Sequence, residues 1–504
     1  MTKMTFEPGR NCWRVADADR LAVIVDGQEY FRVLRESLLK AERFVIFVAW
    51  DFDFEIDMLP GKSDEEGDAP DGFPNAIGPF LDALVTRRDG LDIYLLKWSG
   101  GALIAPGRMV PTIQIKLMSP DQLHLGFDGR HPIGACHHQK IVVIDDSLAF
   151  CGGLDVTEGR WDTREHCADN KMRSLKNGEI AQPWHDTTTL MTGKAAAAFS
   201  ELCRNRWERA MGKTIGEDFS PGQDRWPADV APDFEDIEIA IARTAPPESD
   251  CASVVEIETL YLDSIAAAKK SIYLESQYFA ADSITAAVKA RLQEPDGPEI
   301  VVINPKAAQT MAEDEAMHVI RSRMIRELSA SDPHGRFIIL YPVNDAGQDI
   351  YVHSKTCIVD DAFLRIGSSN VDRRSMGFDT ESDVALIARS HQDRQRIAWI
   401  RDDLIAEHLG VDADRVTKAI RQHGSIIAAI KSLNSKKGRG LRPVIPRKES
   451  LLGSLLADTR FFDPRYRRSA QARIGITSRH ILYGSAALAL GVMLWRRYHR
   501  IGRR

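Results

Sequence analysis

Two histidine–lysine pairs, each followed by an aspartate at one fixed spacing, are the residues in this sequence best equipped for chemistry. His138, Lys140 and Asp145 form the first set, and His353, Lys355 and Asp360 form the second. In each, one residue separates His from Lys and four mostly apolar residues separate Lys from Asp; a glycine then follows, Gly152 in the first copy and Gly367 in the second. One such triple could be an accident, but two with matching glycines indicate an internal duplication that builds one site from two halves. Paired imidazoles suit phosphoryl transfer from a phosphodiester. One attacks phosphorus to give a covalent phosphohistidine; the other protonates the leaving oxygen and later deprotonates the resolving water. Two ammonium groups would hold the non-bridging oxygens, where negative charge concentrates, so no metal or other cofactor is required.

Each histidine also needs a carboxylate behind it, to fix its tautomer and favour its cation. Asp186 and Asp383 are the candidates, each downstream of its motif at the head of an expected strand, with Glu381 close by. After the motifs come Gly153, Leu154 and Asp155 in one half and Ser368, Ser369 and Asn370 in the other. Gly152 and Gly153 would let free backbone N–H groups approach an anion, while Ser368 and Asn370 add neutral donors; Asp155 completes the supporting set.

The elements that position these groups follow from residue pattern. Residues 140–144 and 148–151 read as a β-hairpin around a turn at Asp145, and 356–359 and 363–366 read as its repeat. On a strand, residues two apart share a face, so His138 and Lys140 point the same way. Asp145 differs in parity and sits at the turn, where a structural role is expected although it belongs to the candidate catalytic motif. A helix over 26–41 and a buried strand over 44–50 recur as a helix over 256–268 and a strand over 271–275. Further strands are expected at 91–97, 299–303, 337–341 and 384–387, with a helix over 194–210. Alternating helices and strands give an α/β class. The expected organisation is a first repeat over 1–215, a linker over 216–235 rich in Pro, Gly and acidic residues, and a second repeat over 236–410. A helical and basic tail over 411–480 follows, then an apolar segment over 481–495.

The chain has 504 residues and seven scattered cysteines without metal-ligand spacing, which fits buried thiols in a reducing compartment. No secretory signal is visible at the start. The net charge of −6 conceals a division: residues 431–504 carry 18 Lys/Arg against 3 Asp/Glu, or +15, which leaves −21 on the first 430. An acidic body disfavours non-specific nucleic-acid binding, whereas a basic tail suits an anionic membrane surface. The uncharged run 481–495 is shorter than the roughly 20 residues of a comfortable span, but Arg479, Arg496 and Arg497 bracket it and Trp495 suits an interface. Attachment at the cytoplasmic face of a membrane is the expectation.

With these residues in view, the paired motifs resemble the phospholipase D superfamily over residues 1–430. The segments Gly159-Arg160-Trp161-Asp162, Pro183-Trp184-His185-Asp186, Glu275-Ser276-Gln277-Tyr278-Phe279 and Ile350-Tyr351-Val352-His353 are similar to those of phospholipid-cleaving members. Cys12, Trp13 and Trp50-Asp51-Phe52-Asp53 are similar to bacterial phospholipase D-like proteins. The resemblance implies two pseudo-symmetric α/β repeats around one shared site, a phospholipid substrate, a phosphohistidine intermediate, metal-independent chemistry and transphosphatidylation when an alcohol replaces water. It also implies His138 as nucleophile and His353 as acid/base. Hydrolysis of the distal phosphodiester bond to phosphatidic acid and free headgroup is the expected reaction. A cardiolipin- or phosphatidylserine-synthase-like transferase is the alternative; a nuclease is disfavoured by the acidic body, and a non-catalytic tether by the two intact motifs.

Overall fold

Phe44–Ala49 is apolar at every position because both of its faces are covered, and all six residues are buried. The computed structural model describes residues 4–100, 120–216, 224–248, 252–460 and 463–464. The first half runs β1 (Arg14–Val25), α1 (Asp26–Leu38), β2 (Phe44–Ala49), α2 (Ile77–Arg87), β3 (Asp92–Trp98), β4 (Leu123–Asp128), β5 (Ile141–Ile144), β6 (Leu148–Gly152), β7 (Trp184–His185), β8 (Thr187–Thr192) and α3 (Lys194–Met211). The second half opens with β9 (Phe234–Ala245), β10 (Val254–Val255), α4 (Glu256–Ala267), β11 (Ser271–Glu275), α5 (Asp282–Gln293), β12 (Glu299–Ile303) and α6 (Met311–Ala330). It continues with β13 (Phe337–Val343), β14 (Tyr351–Val352), β15 (Thr356–Val359), β16 (Phe363–Gly367), β17 (Glu381–Ile387) and α7 (His391–Leu409). Helices α8 (Ala413–His423) and α9 (Ile426–Leu433), strand β18 (Gly440–Pro443) and helix α10 (Leu451–Thr459) follow.

One 16-stranded sheet joins the halves. At its centre β1 pairs antiparallel with β9, Arg14 opposite Ile241 and Leu21 opposite Phe234. Outward from β1 the order is β8, β6, β5, β2, β3, β4; outward from β9 it is β17, β16, β15, β11, β12, β13, β18. Helices cover both faces. Phe199 and Leu202 of α3 and Ile400 and Leu404 of α7 share a core with strands of both halves. Helices α1 and α2 cover the other face of the first half, and α4, α5 and α6 that of the second.

The motif aspartates are fold residues, not site residues. Asp145 and Asp146 have φ of 51° and 59°, and Asp360 and Asp361 have 53° and 54°. This is the left-handed region, which Asp tolerates better than most non-glycine residues, and it closes each hairpin. From that turn the Asp145 carboxylate accepts the N–H groups of Glu42 at 2.8 Å, Arg43 at 2.8 Å and Phe44 at 2.9 Å, and Arg225 Nε at 3.0 Å. Asp360 does the same for Lys269 at 2.6 Å, Lys270 at 2.7 Å and Ser271 at 2.9 Å. Each aspartate thus fastens its motif hairpin to the start of the neighbouring strand, β2 or β11. Asp145→Ala strands three N–H donors and leaves the Arg225 guanidinium with Glu42 alone; the expected cost is about 3 kcal/mol in urea unfolding, with turnover per folded molecule unchanged.

Two boundaries differ from the sequence reading. Within 216–235, Trp226 and Val230 are buried, Arg225 reaches Asp145, and β9 has begun by Phe234, so the described part of this segment is packed. Beyond 410, Val416, Ile426, Ile430 and Leu441 enter the core, and β18 extends the sheet edge through β13, because the apolar faces of α8 and α9 need covering. Among the described residues no helix is long and apolar enough to cross a membrane. The segment 481–495 lies outside them.

Candidate active site

Each motif histidine is held by backbone of the opposite half. His138 N donates to Thr380 O at 2.8 Å, and Thr380 N donates to Cys136 O at 2.9 Å. Correspondingly, β14 pairs with β7, and His353 N donates to His185 O at 2.8 Å. Both histidines therefore sit where the halves meet, at the entrance to β5 and β15.

The carboxylates cross the same seam. His353 Nδ1 lies 2.7 Å from Asp186 Oδ2. His138 Nδ1 lies 3.0 Å from Glu381 Oε2 and 3.0 Å from the carbonyl oxygen of Ser368. Asp186, expected behind the histidine of its own motif, thus serves the other one, and Asp383, expected behind His353, instead forms a buried pair with Arg365 at 2.7 Å and accepts from Ser369 Oγ at 2.6 Å. Register explains the difference. Gly367 is paired with Asp383, as Gly152 is with Thr188, so the position matching Asp186 is two residues earlier, at Glu381.

The remaining candidates support these groups. Lys140 Nζ lies 3.1 Å from Asp155 and donates to His138 O at 2.9 Å; Lys355 Nζ donates to His353 O. Ser368 Oγ donates to Glu381 at 2.5 Å, and Ser375 Oγ donates to it at 2.7 Å, so Ser368 holds the carboxylate. The N–H groups of Gly152 and Gly153 are not free: they donate to Lys140 O at 3.4 Å and Thr187 O at 2.9 Å. Gly153 serves by lacking a side chain, since a Cβ there would lie 2.0 Å from Asp186 Oδ1. Asn370 Nδ2 is 3.4 Å from Gln277 Oε1, while its buried Oδ1 has no hydrogen-bond partner.

Aromatic and cationic groups that the motifs flag only indirectly wall the site. Trp184 stacks on Tyr351 at 4.7 Å and lies 4.9 Å from the His353 ring, with the Arg160 guanidinium 4.0 Å from the Trp184 centroid. Gln277 donates to Tyr351 OH at 2.9 Å. Beneath them a buried ionic network spans the seam. His185 lies 3.0 Å from Asp26, 2.7 Å from Glu407 and 3.1 Å from Glu275; His166 contacts Asp162 at 2.9 Å and Glu407 at 3.1 Å. His408 closes on Glu275 at 2.9 Å. These carboxylates hold His166 up at about 9 and His185 well above its ordinary value, against burial, which acts the other way.

Burial and surrounding cations push both motif histidines well below their ordinary range. For His138 the cations are Lys140 and Lys355; for His353 they are Lys355, Arg160 and Lys140. Burial also pulls Lys355 down to about 7, with Asp186 opposing. It raises Asp186 to about 6, against the attraction of Lys355, and Glu381 to about 8, against its hydrogen bond from Ser368. Burial thus raises Glu381 further than Asp186, so Asp186 is the more readily ionised of the two supporting carboxyl groups.

Two family models match. One, described as phospholipase D, covers residues 130–319; the other, described as cardiolipin synthase, PLD-like domain, covers 261–399. Phospholipase D1 of Saccharomyces cerevisiae is 23% identical over 78% of this chain and 29% of its own length. Phospholipase D alpha 1 of Cynara cardunculus is 22% identical over 55% of this chain and 49% of its own. The chain thus spans half or less of the length of these relatives. In fold it is similar to phosphatidylserine synthase of Haemophilus influenzae Rd KW20, with a TM-score of 0.54, 12% identity, and coverage of 83% of this chain and 96% of that one.

Proposed function

Because the chain belongs to the phospholipase D superfamily, we propose that it cleaves the distal phosphodiester bond of glycerophospholipids through a phosphohistidine, releasing the headgroup and leaving phosphatidic acid. The observation that carries this reading is the seam itself: two imidazoles, each beside a lysine and each backed by a carboxyl group of the opposite half.

The unequal carboxylates support His138 as nucleophile and His353 as acid and base in this reading. The Ser368 carbonyl can only accept, so Nδ1 of His138 carries the proton and the Nε2 lone pair faces outward. Neutral Glu381 does nothing to draw a second proton onto this ring, which suits a nucleophile. Ionised Asp186 favours the imidazolium of His353, and an arriving phosphate anion favours it further, which suits the general acid. His138 Nε2 bonds to phosphorus as the P–O bond to the headgroup breaks, and His353 gives its proton to the leaving oxygen. His353 then takes a proton from water, whose oxygen displaces His138 to give phosphatidic acid. Lys140, Lys355 and Arg160 offset the charge of the phosphoryl oxygens, and rotation of the Asn370 amide presents its NH2 group.

The family model described as cardiolipin synthase, which matches the second half, favours a second reading: the same intermediate passed to an alcohol. A panel of diacyl phospholipids, assayed with and without ethanol, tests both. Hydrolysis predicts free headgroup and phosphatidic acid in water, with phosphatidylethanol appearing when ethanol is added. Product only with an alcohol present favours the transferase. Failure to release headgroup from any lipid, together with cleavage of single-stranded DNA, would discard both.

A further inference from the structure

Five large apolar side chains stand out among the described residues as the most exposed: Leu451 at 94%, Met311 at 93%, Ile445 at 74%, Leu452 at 61% and Leu455 at 60%. They lie together. Helix α10 packs on α6, where Ser450 Oγ donates to Glu315, a Cβ on Gly453 would lie 2.7 Å from the Glu315 carbonyl oxygen, and Arg323 meets Asp458 at 2.5 Å. Met311 is the first residue of α6, and Arg447, two residues after Ile445, pairs with Asp314 at 2.8 Å. The amphipathic order of α10 is inverted. Its small residues Gly453 and Ala457, four apart, face inward, while Leu451, Leu452 and Leu455 face outward. Exposed apolar side chains grouped on two packed elements in this way mark a binding surface.

Its position and surrounding charge indicate what covers it. Just past α10, the Asp463 carboxylate accepts the N–H groups of Arg373 at 2.8 Å and Arg374 at 3.1 Å, in the loop between Asn370 and Glu381. On α6, Glu313 accepts from Tyr278 OH, beside Gln277 of the site wall. The segment just after α10 and the start of α6 therefore border the site. Residues 465–504, which follow it, contain ten arginines and no acidic residue. Helix α10 lies beyond both matched family models, which end at 319 and 399, so it is not part of the matched region.

We propose that α10, with Met311 and Ile445, is a docking face for an anionic phospholipid surface. The leucines enter the boundary between headgroups and acyl chains, the arginines that follow bind the lipid charge, and the site mouth is set against the bilayer. The proposal deepens the phospholipid reading by naming how substrate is met, and rests on it for that alone.

The test uses the full chain with Cys167 and Cys251 changed to serine and Leu455→Cys carrying an environment-sensitive fluorophore. Vesicles of phosphatidylcholine and phosphatidylglycerol with a doxyl-labelled lipid should shift its emission to the blue and quench it, and vesicles of phosphatidylcholine alone should do so far less. A label already shielded before vesicles are added would mean that the chain's own C-terminal segment or a second copy covers the face. A label that stays aqueous on vesicle-bound protein would mean that the tail alone tethers. Either overturns the proposal. In parallel, Leu451→Asp with Leu455→Asp should lower vesicle turnover about 10-fold or more while leaving turnover of a monomeric short-chain phospholipid unchanged. If neither form of lipid is turned over, the reaction assigned above is wrong, and the fluorescence still decides the docking face.

Discussion

His138→Ala and His353→Ala are each expected to lower turnover by about 10⁴-fold or more, and the two losses are not expected to add, because each imidazole is useless without the other. The backbone N–H of each histidine is held by the opposite half, so truncation removes the imidazole without moving the strand that carries it. The two variants fail differently. His138→Ala has no nucleophile and retains no phosphate. His353→Ala keeps the Nε2 lone pair of His138 but lacks the acid for the leaving group and the base for water. With a substrate whose headgroup leaves readily, His353→Ala is expected to form the phosphohistidine and stall. Acid-sensitive, alkali-stable label on His138 after denaturing quench is the expected result. Label on His353, in wild type or in His138→Ala, would reverse the assignment.

Asp186→Asn is expected to lower turnover by about 10²–10⁴-fold, whereas Glu381→Gln should cost far less at neutral pH. The carboxyl groups occupy matching places, but Asp186 titrates at about 6 and Glu381 at about 8. At pH 7 the first change removes a negative charge from His353, and the second replaces a group already largely neutral. The sign of the pH dependence follows. Wild-type kcat/KM should fall as pH drops through about 6, when Asp186 takes up a proton and ceases to favour the His353 cation. It should also fall as pH rises through about 7, when free Lys355 loses its charge. Asp186→Asn should remove the acid limb and keep the alkaline one. A retained acid limb in that variant would show that Asp186 is not the group that matters.

The sequence made the motif hairpins and several buried strands legible because a strand covered on both faces is a run of apolar residues: 271–275, 299–303 and 356–359 coincide with β11, β12 and β15. The central strands β1 and β9 were missed because Asp17 and Asp19 interrupt the first half of β1, and Asp236 and Glu238 that of β9, although the apolar run 21–25 and Ile237, Ile239 and Ile241 at alternate positions were the available signal. At the site, the pairs of histidine and lysine could be read from spacing, but their partners could not. Glu381 and Asp383 lie on the same side of one strand, and only the pairing of Gly367 with Asp383 shows which reaches His138. The small ladder between β7 and β14 joins residues 167 apart in sequence and leaves no local trace. The roles of Gly153 and Ser368 depend on what lies across the sheet from them, which spacing does not contain.

On the proposed mechanism, the division of the site between the two halves sets when this protein could first act. His353, the acid that His138 needs, lies 353 − 138 = 215 residues further along the chain. At a ribosomal pace of about 5–20 residues per second, roughly 10–45 s pass between their syntheses. During that interval the nascent first half holds a histidine and a lysine without the opposing acid, so it has no means of opening a phosphodiester. On the same mechanism, a fragment released early, by premature termination or proteolysis, is expected to be inert towards lipid, because it holds only half of the site.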